Sequence, residues 1–199
     1  SNEWTSAVAA TGGLTRFKEL YGNDESHQAV IDFLAFSPDN PASIRNCIEI
    51  ARSNARAVRT ALTAEMWDSI NSAWLELRQF RPEGMTRPRL NELLSFVKEA
   101  SLRFDGSAYR TMLRNDAYYF TRLGSYLERA DATARILDVK YHVLLPEGEP
   151  VGGSLDYFQW SSILRSVSAL TAYHWVYRQN LRPWLVADLL ILRREMPRS

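Results

Sequence analysis

The segment from Asp116 to Pro146, DAYYFTRLGSYLERADATARILDVKYHVLLP, decides the fold class. Its apolar residues fall at Phe120, Leu123, Leu127, Ala130, Ala134, Leu137, Tyr141 and Leu144, in steps that alternate between three and four. That spacing is a single stripe along an α-helix, and it predicts a long helix whose apolar side meets other helices. A parallel line of Glu128, Asp131, Arg135 and Asp138, with Arg122 and Arg129 close by, sets carboxylates and guanidinium groups one turn apart on a flank.

The rest of the chain carries the same period. Residues 40–62 predict a helix capped by Asn40, with Pro41 at its first position and Ile44, Ile48, Ala51, Ala55, Val58 and Leu62 inward. Its other side presents Arg45, Glu49, Arg52, Arg56 and Arg59. Thr63 caps a helix with Trp67, Ile70, Trp74 and Leu77 inward, and Thr86 with Pro88 opens one through Leu90, Leu93, Val97, Ala100 and Phe104. Asn115 or Asp116 caps the central helix. After a loop at EGEPVGGS, Ser154 caps a helix carrying Trp160, Ile163, Val167, Leu170, His174 and Tyr177 in one register, and Pro183 starts a last one through Leu192. Before residue 36 the pattern predicts a short helix, a break at Gly12-Gly13, a second short helix and a third capped by Asn23 or Asp24. The expected architecture is all-α: an antiparallel bundle of five to six long helices, with residues 1–36 a helical N-terminal segment and 37–199 the bundle.

One echo stands out. Met196-Pro197-Arg198-Ser199 copies the Pro-x-Ser frame of Asn40-Pro41-Ala42-Ser43, which opens the arginine-rich helix. The expectation is a fragment of a longer protein with a duplicated motif.

With 199 residues, 46% hydrophobic and 24% charged, the composition is that of a globular chain. A net charge of +1 gives no field large enough to argue for a nucleic-acid or anionic-membrane partner, and neither is expected. Only Lys18, Lys98 and Lys140 are lysines among the 24 basic residues, the other 21 being arginines, whose planar fork suits carboxylates and phosphates. Cys47 is alone, which fits a reducing cytoplasm, and its position near an apolar side predicts a buried thiol. No Glu-x-x-His pair, nucleophile elbow or phosphate-cradling glycine loop occurs, so neither metal nor cofactor is expected.

The charged residues form the candidate site. Arg45, Glu49, Arg52, Asn54, Arg56 and Arg59 on one helix, with Arg122, Glu128, Arg129, Asp131, Arg135 and Asp138 on another, suit a buried polar site for a carboxylate or phosphate, or a register-setting network of ion pairs. An enzyme reading makes Glu128 or Asp138 a general base, with Arg52, Arg56, Arg129 and Arg135 holding an anionic substrate. A third reading is an oligomerising scaffold. His174 and the tryptophans at helical spacings are expected to pack in the core.

The chain resembles the Alpha-E family of bacterial proteins. The resemblance rests on Arg122-Leu-Gly-x-Tyr-Leu-Glu128-Arg129-Ala-Asp131-x-Thr133-Ala-Arg135-x-Leu-Asp138, on Asn40-Pro-x-Ser43-Ile and Ala51-Arg52-x-Asn54-Ala-Arg56-x-Val-Arg59, on Glu65-Met-Trp67 with Asn71, and on Pro197-Arg198-Ser199. It implies an all-helical protein, usually longer than this chain, found beside or fused to ATP-grasp-type ligases and transglutaminase-like proteins. The function so implied is a non-catalytic or substrate-holding part in ATP-dependent amide-bond formation or peptide modification.

Overall fold

Hydroxyl side chains set where four of the helices of this protein begin. In the computed structural model, which describes residues 3–142 and 153–196, Ser26, Ser43, Thr63 and Thr86 each accept the backbone N–H three residues on, at 3.2 to 3.4 Å. Each such cap contributes about 1 kcal/mol. The helices are α1 (Glu3–Ala10), α2 (Leu14–Tyr21), α3 (His27–Ile31), α4 (Ile44–Ala57), α5 (Ala64–Leu77), α6 (Arg87–Thr111), α7 (Asp116–His142), α8 (Ser154–Ser166), α9 (Leu170–Tyr177) and α10 (Pro183–Ala187). No strand occurs among the described residues. The all-α class therefore holds, and α4 to α8 are the five long helices.

Several local expectations need correction. The cap of α4 is Ser43, because Asn40 is spent on the preceding turn: its side chain accepts from Ala42 N–H and donates to the Phe33 carbonyl. Ser26 caps α3, while Asp24 accepts from Ser26 N–H. The single helix expected from Ser154 to Tyr177 is two, broken where Ser168 takes a left-handed φ of 57°. The break turns Tyr173 into the core, fully buried, and leaves His174 and Trp175 exposed. Trp184 is exposed as well, and so is Cys47, which is not the buried thiol expected. The loop at EGEPVGGS, the end of α7 at Pro146 and the Pro197-Arg198-Ser199 frame lie outside the described residues, apart from Gly153 and Ser154.

The largest correction concerns α7. Its expected inward stripe is open to solvent over most of its length: Phe120 is 72% exposed, Leu123 50% and Leu127 64%, and of the described residues of the stripe only Leu137 is buried. The shielded side runs one position further round, through Tyr118, Ser125, Ala132, Ile136 and Val139.

The chain divides into two compact units, one formed by Ser1–Gly12 with Leu123–Ser199 and the other by Gly13–Arg122. In the second unit Ile31, Ala35 and Phe36 pack with Ala73 and Leu77 of α5 and Leu93 and Phe96 of α6, and Ile44 and Ile48 of α4 close over them. In the first unit Leu137 of α7 packs with Trp160 and Leu164 of α8, Tyr173 of α9, and Val186, Leu189 and Leu190.

Both units contain the same motif, 156 residues apart. Leu14-Thr15, Tyr21, Val30, Asp32 and Leu34 recur as Leu170-Thr171, Tyr177, Val186, Asp188 and Leu190, and the flanking Trp4 and Pro41 recur as Trp160 and Pro197. The structures match residue for residue. Helix α2 corresponds to α9 and α3 to α10, and each short helix widens into one π-helical turn, at Asp32–Phe36 and Asp188–Leu192. Those turns end alike, with Ser37 N–H on the Asp32 carbonyl at 2.8 Å and Arg193 N–H on the Asp188 carbonyl at 3.1 Å. Positive φ recurs at the same places: Gly12 and Gly22 match Ser168 and Arg178. The duplicated motif expected from the Pro-x-Ser echo is thus far longer than the echo itself.

Candidate functional site

Helices α4 and α5 bring most of the predicted arginines of the second unit onto one face. Arg52, half-buried, donates Nε to Asn71 Oδ1 at 2.9 Å, and its guanidinium lies 4.1 Å from the Trp74 ring centre and 5.8 Å from that of Trp67. Arg59 lies 5.6 Å from Trp67, and Arg78 lies 4.9 Å from Trp74. Guanidinium and indole groups therefore alternate in the order Arg59, Trp67, Arg52, Trp74, Arg78. Each such contact contributes about 0.5–1 kcal/mol at a partly exposed site and fixes the plane of the guanidinium.

At one end of this series a cleft of about 400 Å³ opens, lined by Arg45, Glu49, Trp74, Arg78 and Arg81 with Phe36 and Phe80 among its apolar walls. Arg45 and Glu49 pair at 3.3 Å, one turn apart and both exposed. Three guanidinium groups thus meet one carboxylate beside an aromatic wall, an arrangement that suits an anion carried on an apolar or planar group. On the opposite side of α4, Asn54 lines a separate apolar cleft of about 360 Å³ with Ile48, Ala51, Ala55, Val58 and Leu62. The predicted stripe of α4 is therefore half closed over the core and half open.

The remaining predicted residues fall elsewhere. Arg56 is exposed. Arg122 pairs with Asp105 of α6 at 3.3 Å, partly buried. On α7, Asp131 and Arg135 pair at 2.8 Å but both are exposed, as are Glu128 and Asp138, while Arg129 is half-buried. These exposures correct the expectation of an enclosed polar site on this flank. Arg135 also reaches over Gly12, its Nη1 2.7 Å from where a Cβ would stand.

Three pairs were not among the candidates. Lys140 and Asp156 form a buried ion pair at 2.6 Å, 2% and 3% exposed, with the ammonium 5.2 Å from the Trp160 ring centre. No pattern in the sequence marks Asp156. Tyr21 donates to Asp32 and Tyr177 to Asp188, at equivalent places in the repeat, and the constant spacing of these four residues is the signal that marks them. Burial pushes the Tyr21 hydroxyl up to about 12, with the bond to Asp32 adding to the shift. Burial raises Tyr177 as well, and the Tyr177 and Arg193 hydrogen bonds hold the Asp188 carboxyl below its ordinary range. Among the described residues no group of three His, Cys, Asp or Glu side chains is placed to hold a metal, and no helix is long and apolar enough to cross a membrane.

Fold and site together define an all-helical protein built on a repeated motif, with an arginine-lined cleft in one unit. The chain belongs to the Alpha-E family, described as a predicted alpha-helical domain with a conserved ER motif, and the match covers residues 1–199. Glu128-Arg129 on α7 is the one Glu-Arg pair in the sequence. Comparison with curated proteins and with solved structures returns no match.

Proposed function

We propose that this protein is a non-catalytic, substrate-holding component of a cytoplasmic bacterial system that forms or remodels amide bonds, working with an ATP-grasp-type ligase and a transglutaminase-like protein. The observation that supports a holding role is the cleft walled by Arg45, Arg78 and Arg81 with Trp74. Peptide ligation and transamidation both handle carboxylate groups on peptides, and a guanidinium fork beside an aromatic wall recognises a carboxylate with an adjoining apolar or planar side chain. An enzyme reading receives less support. A general base at neutral pH is made by burial, and Glu128 and Asp138 are open to solvent.

The test is binding of short peptides with a free C-terminal carboxylate, read by the fluorescence of the indoles beside the cleft and repeated with the C-terminal amide. Expected is salt-sensitive binding of the acid over the amide. The Arg78→Ala/Arg81→Ala double variant should bind at least tenfold more weakly, with the melting temperature lowered only by the lost contact of Arg78 with Trp74, about 0.5–1 kcal/mol. Equal binding by acid and amide, or by wild type and variant, overturns the reading. Co-purification with the ligase tests the partner.

A further inference from the structure

Arg52 is a cation withdrawn from solvent and fixed in place with no carboxylate beside it. It reaches from α4 onto α5, half-buried against the rings of Trp74 and Trp67, and Asn71 accepts its Nε–H at 2.9 Å. Two other cations that are withdrawn from solvent and lie against rings each hold an aspartate. Lys140, on Trp160, pairs with Asp156 at 2.6 Å, and Arg193, on Tyr177, pairs with Asp188 at 3.1 Å. Arg52 has only a neutral amide, and among the described residues its terminal amines meet no acceptor. Indole faces and one amide offset part of what a guanidinium loses on leaving water, and an oxyanion on the terminal amines would supply the rest.

These contacts also aim the group. A guanidinium is planar, with Nε on one side and the two terminal amines on the far edge. A bond that holds Nε and rings that hold the plane therefore leave the bidentate edge preset. The surroundings are cationic. Residues 44–61 carry four arginines and a single acid, Glu49, which is already paired with Arg45 at 3.3 Å. Among the described residues Arg56 and Arg59 have no ion pair of their own.

Trp74 joins Arg52 to the cleft described above. The guanidinium carbons of Arg52 and Arg78 lie 4.1 and 4.9 Å from its ring centre, and so no more than about 9 Å from each other. An extended peptide advances about 3.3 Å per residue, which makes that gap shorter than three residues.

We infer that Arg52 is a second anion subsite and that the peptide held here is acidic near its C terminus. The terminal carboxylate lies at Arg78 and Arg81, and a glutamate or aspartate one or two residues before the end reaches the Arg52 fork, which Asn71 positions. This inference rests on the holding role proposed for the cleft.

The test uses the 199-residue chain and acetylated hexapeptides ending in leucine, with glutamate or glutamine one or two residues before the end, read by indole fluorescence. At one of these places glutamate should bind about tenfold tighter than glutamine, as a charge-assisted pair requires. Arg52→Gln also removes the ring contacts, so the readout is the ratio of the two peptides rather than either affinity. That ratio should fall to one while the acid stays preferred over the C-terminal amide. Arg52→Lys, which keeps the charge without the fork, should retain a preference of about threefold. Arg78→Ala/Arg81→Ala should do the reverse, losing the preference for acid over amide and keeping that for glutamate. Equal binding of the glutamate and glutamine peptides by wild type, or an undiminished ratio in either Arg52 variant, overturns the inference and leaves the cleft as described. Equal binding of acid and amide overturns the reading of the cleft, and the inference falls with it.

Discussion

Tyr21 donates its hydroxyl to Asp32 Oδ2 at 2.5 Å, eleven residues along the chain, and so ties the end of α2 to the start of a π-helical turn. The bond closes a cluster in which Tyr21 stacks on Phe17 at 5.0 Å and meets Phe33 edge-on at 6.1 Å. Tyr177 and Asp188 repeat it in the other unit, with Arg193 added to the carboxylate at 3.1 Å. A π-turn is a locally unfavourable insertion into a helix, and in both copies a tyrosine side chain anchors its first residue.

The Tyr21 hydroxyl makes stability depend on alkaline pH. Its folded value, about 12, lies above the ordinary value of 10.0, so its contribution is complete below pH 10 and is lost as the pH rises towards 12. Partial exposure discounts the size to about 1–2 kcal/mol. Urea melts of wild type and Tyr21→Phe should therefore converge between pH 10 and 12, because the variant has no proton to lose there. A constant difference across that window counts against the pairing.

The ion pair of Lys140 and Asp156 should behave differently from every surface pair in the chain. Both groups are out of water, so removing one leaves a buried charge alone, at a cost of about 3–5 kcal/mol. Lys140→Met and Asp156→Leu should each lower the urea midpoint steeply. The double variant should recover most of the loss, since two apolar side chains need no partner. Arg135→Ala, which breaks the exposed pair with Asp131, should cost about 0.5 kcal/mol or less. Losses of similar size at the two sites would show that Lys140 and Asp156 are hydrated.

Helix starts are readable from the chain because a cap is a local event, settled by a hydroxyl and the N–H three residues on, as at Thr63 and Thr86. Helix faces are less so. The spacing of Phe120, Leu123 and Leu127 announces a helix, yet that line stays in solvent while Ser125, Ala132 and Ile136 turn inward. Periodicity fixes the period of a helix, and the neighbours choose its face. The same one-residue shift appears on α5, where Met66, Ser69 and Ala73 are buried and Trp67 and Trp74 stand half-exposed under the arginines. Of the candidate site, Arg45, Glu49 and Arg52 converge as one helix face should, and Arg59 joins them from the single 3-10 turn that follows α4. Arg78 and Arg81 join them only because the end of α5 folds back beside the start of α4, a tertiary fact with no mark in the local sequence.

The repeat also shows where the chain carries strain. Arg178 closes α9 in the left-handed region, at φ 50° and ψ 33°, where its equivalent Gly22 closes α2 at φ 61°. A side chain with a Cβ loses about 1 kcal/mol there relative to glycine. The backbone N–H of Arg178 already caps the helix by donating to the His174 carbonyl, and glycine keeps that bond. Arg178→Gly should therefore raise stability by about 1 kcal/mol, or about 2–4 °C in a chain of this size. The reverse exchange is not its mirror image. Gly22 has ψ −120°, a combination with positive φ that only glycine adopts without strain, so Gly22→Arg must cost more than Arg178→Gly returns, about 1–3 kcal/mol. Thermal melts of the two variants decide the matter: a lowered melting temperature for Arg178→Gly, or a tolerated Gly22→Arg, would mean that the two turns do not hold the conformations described.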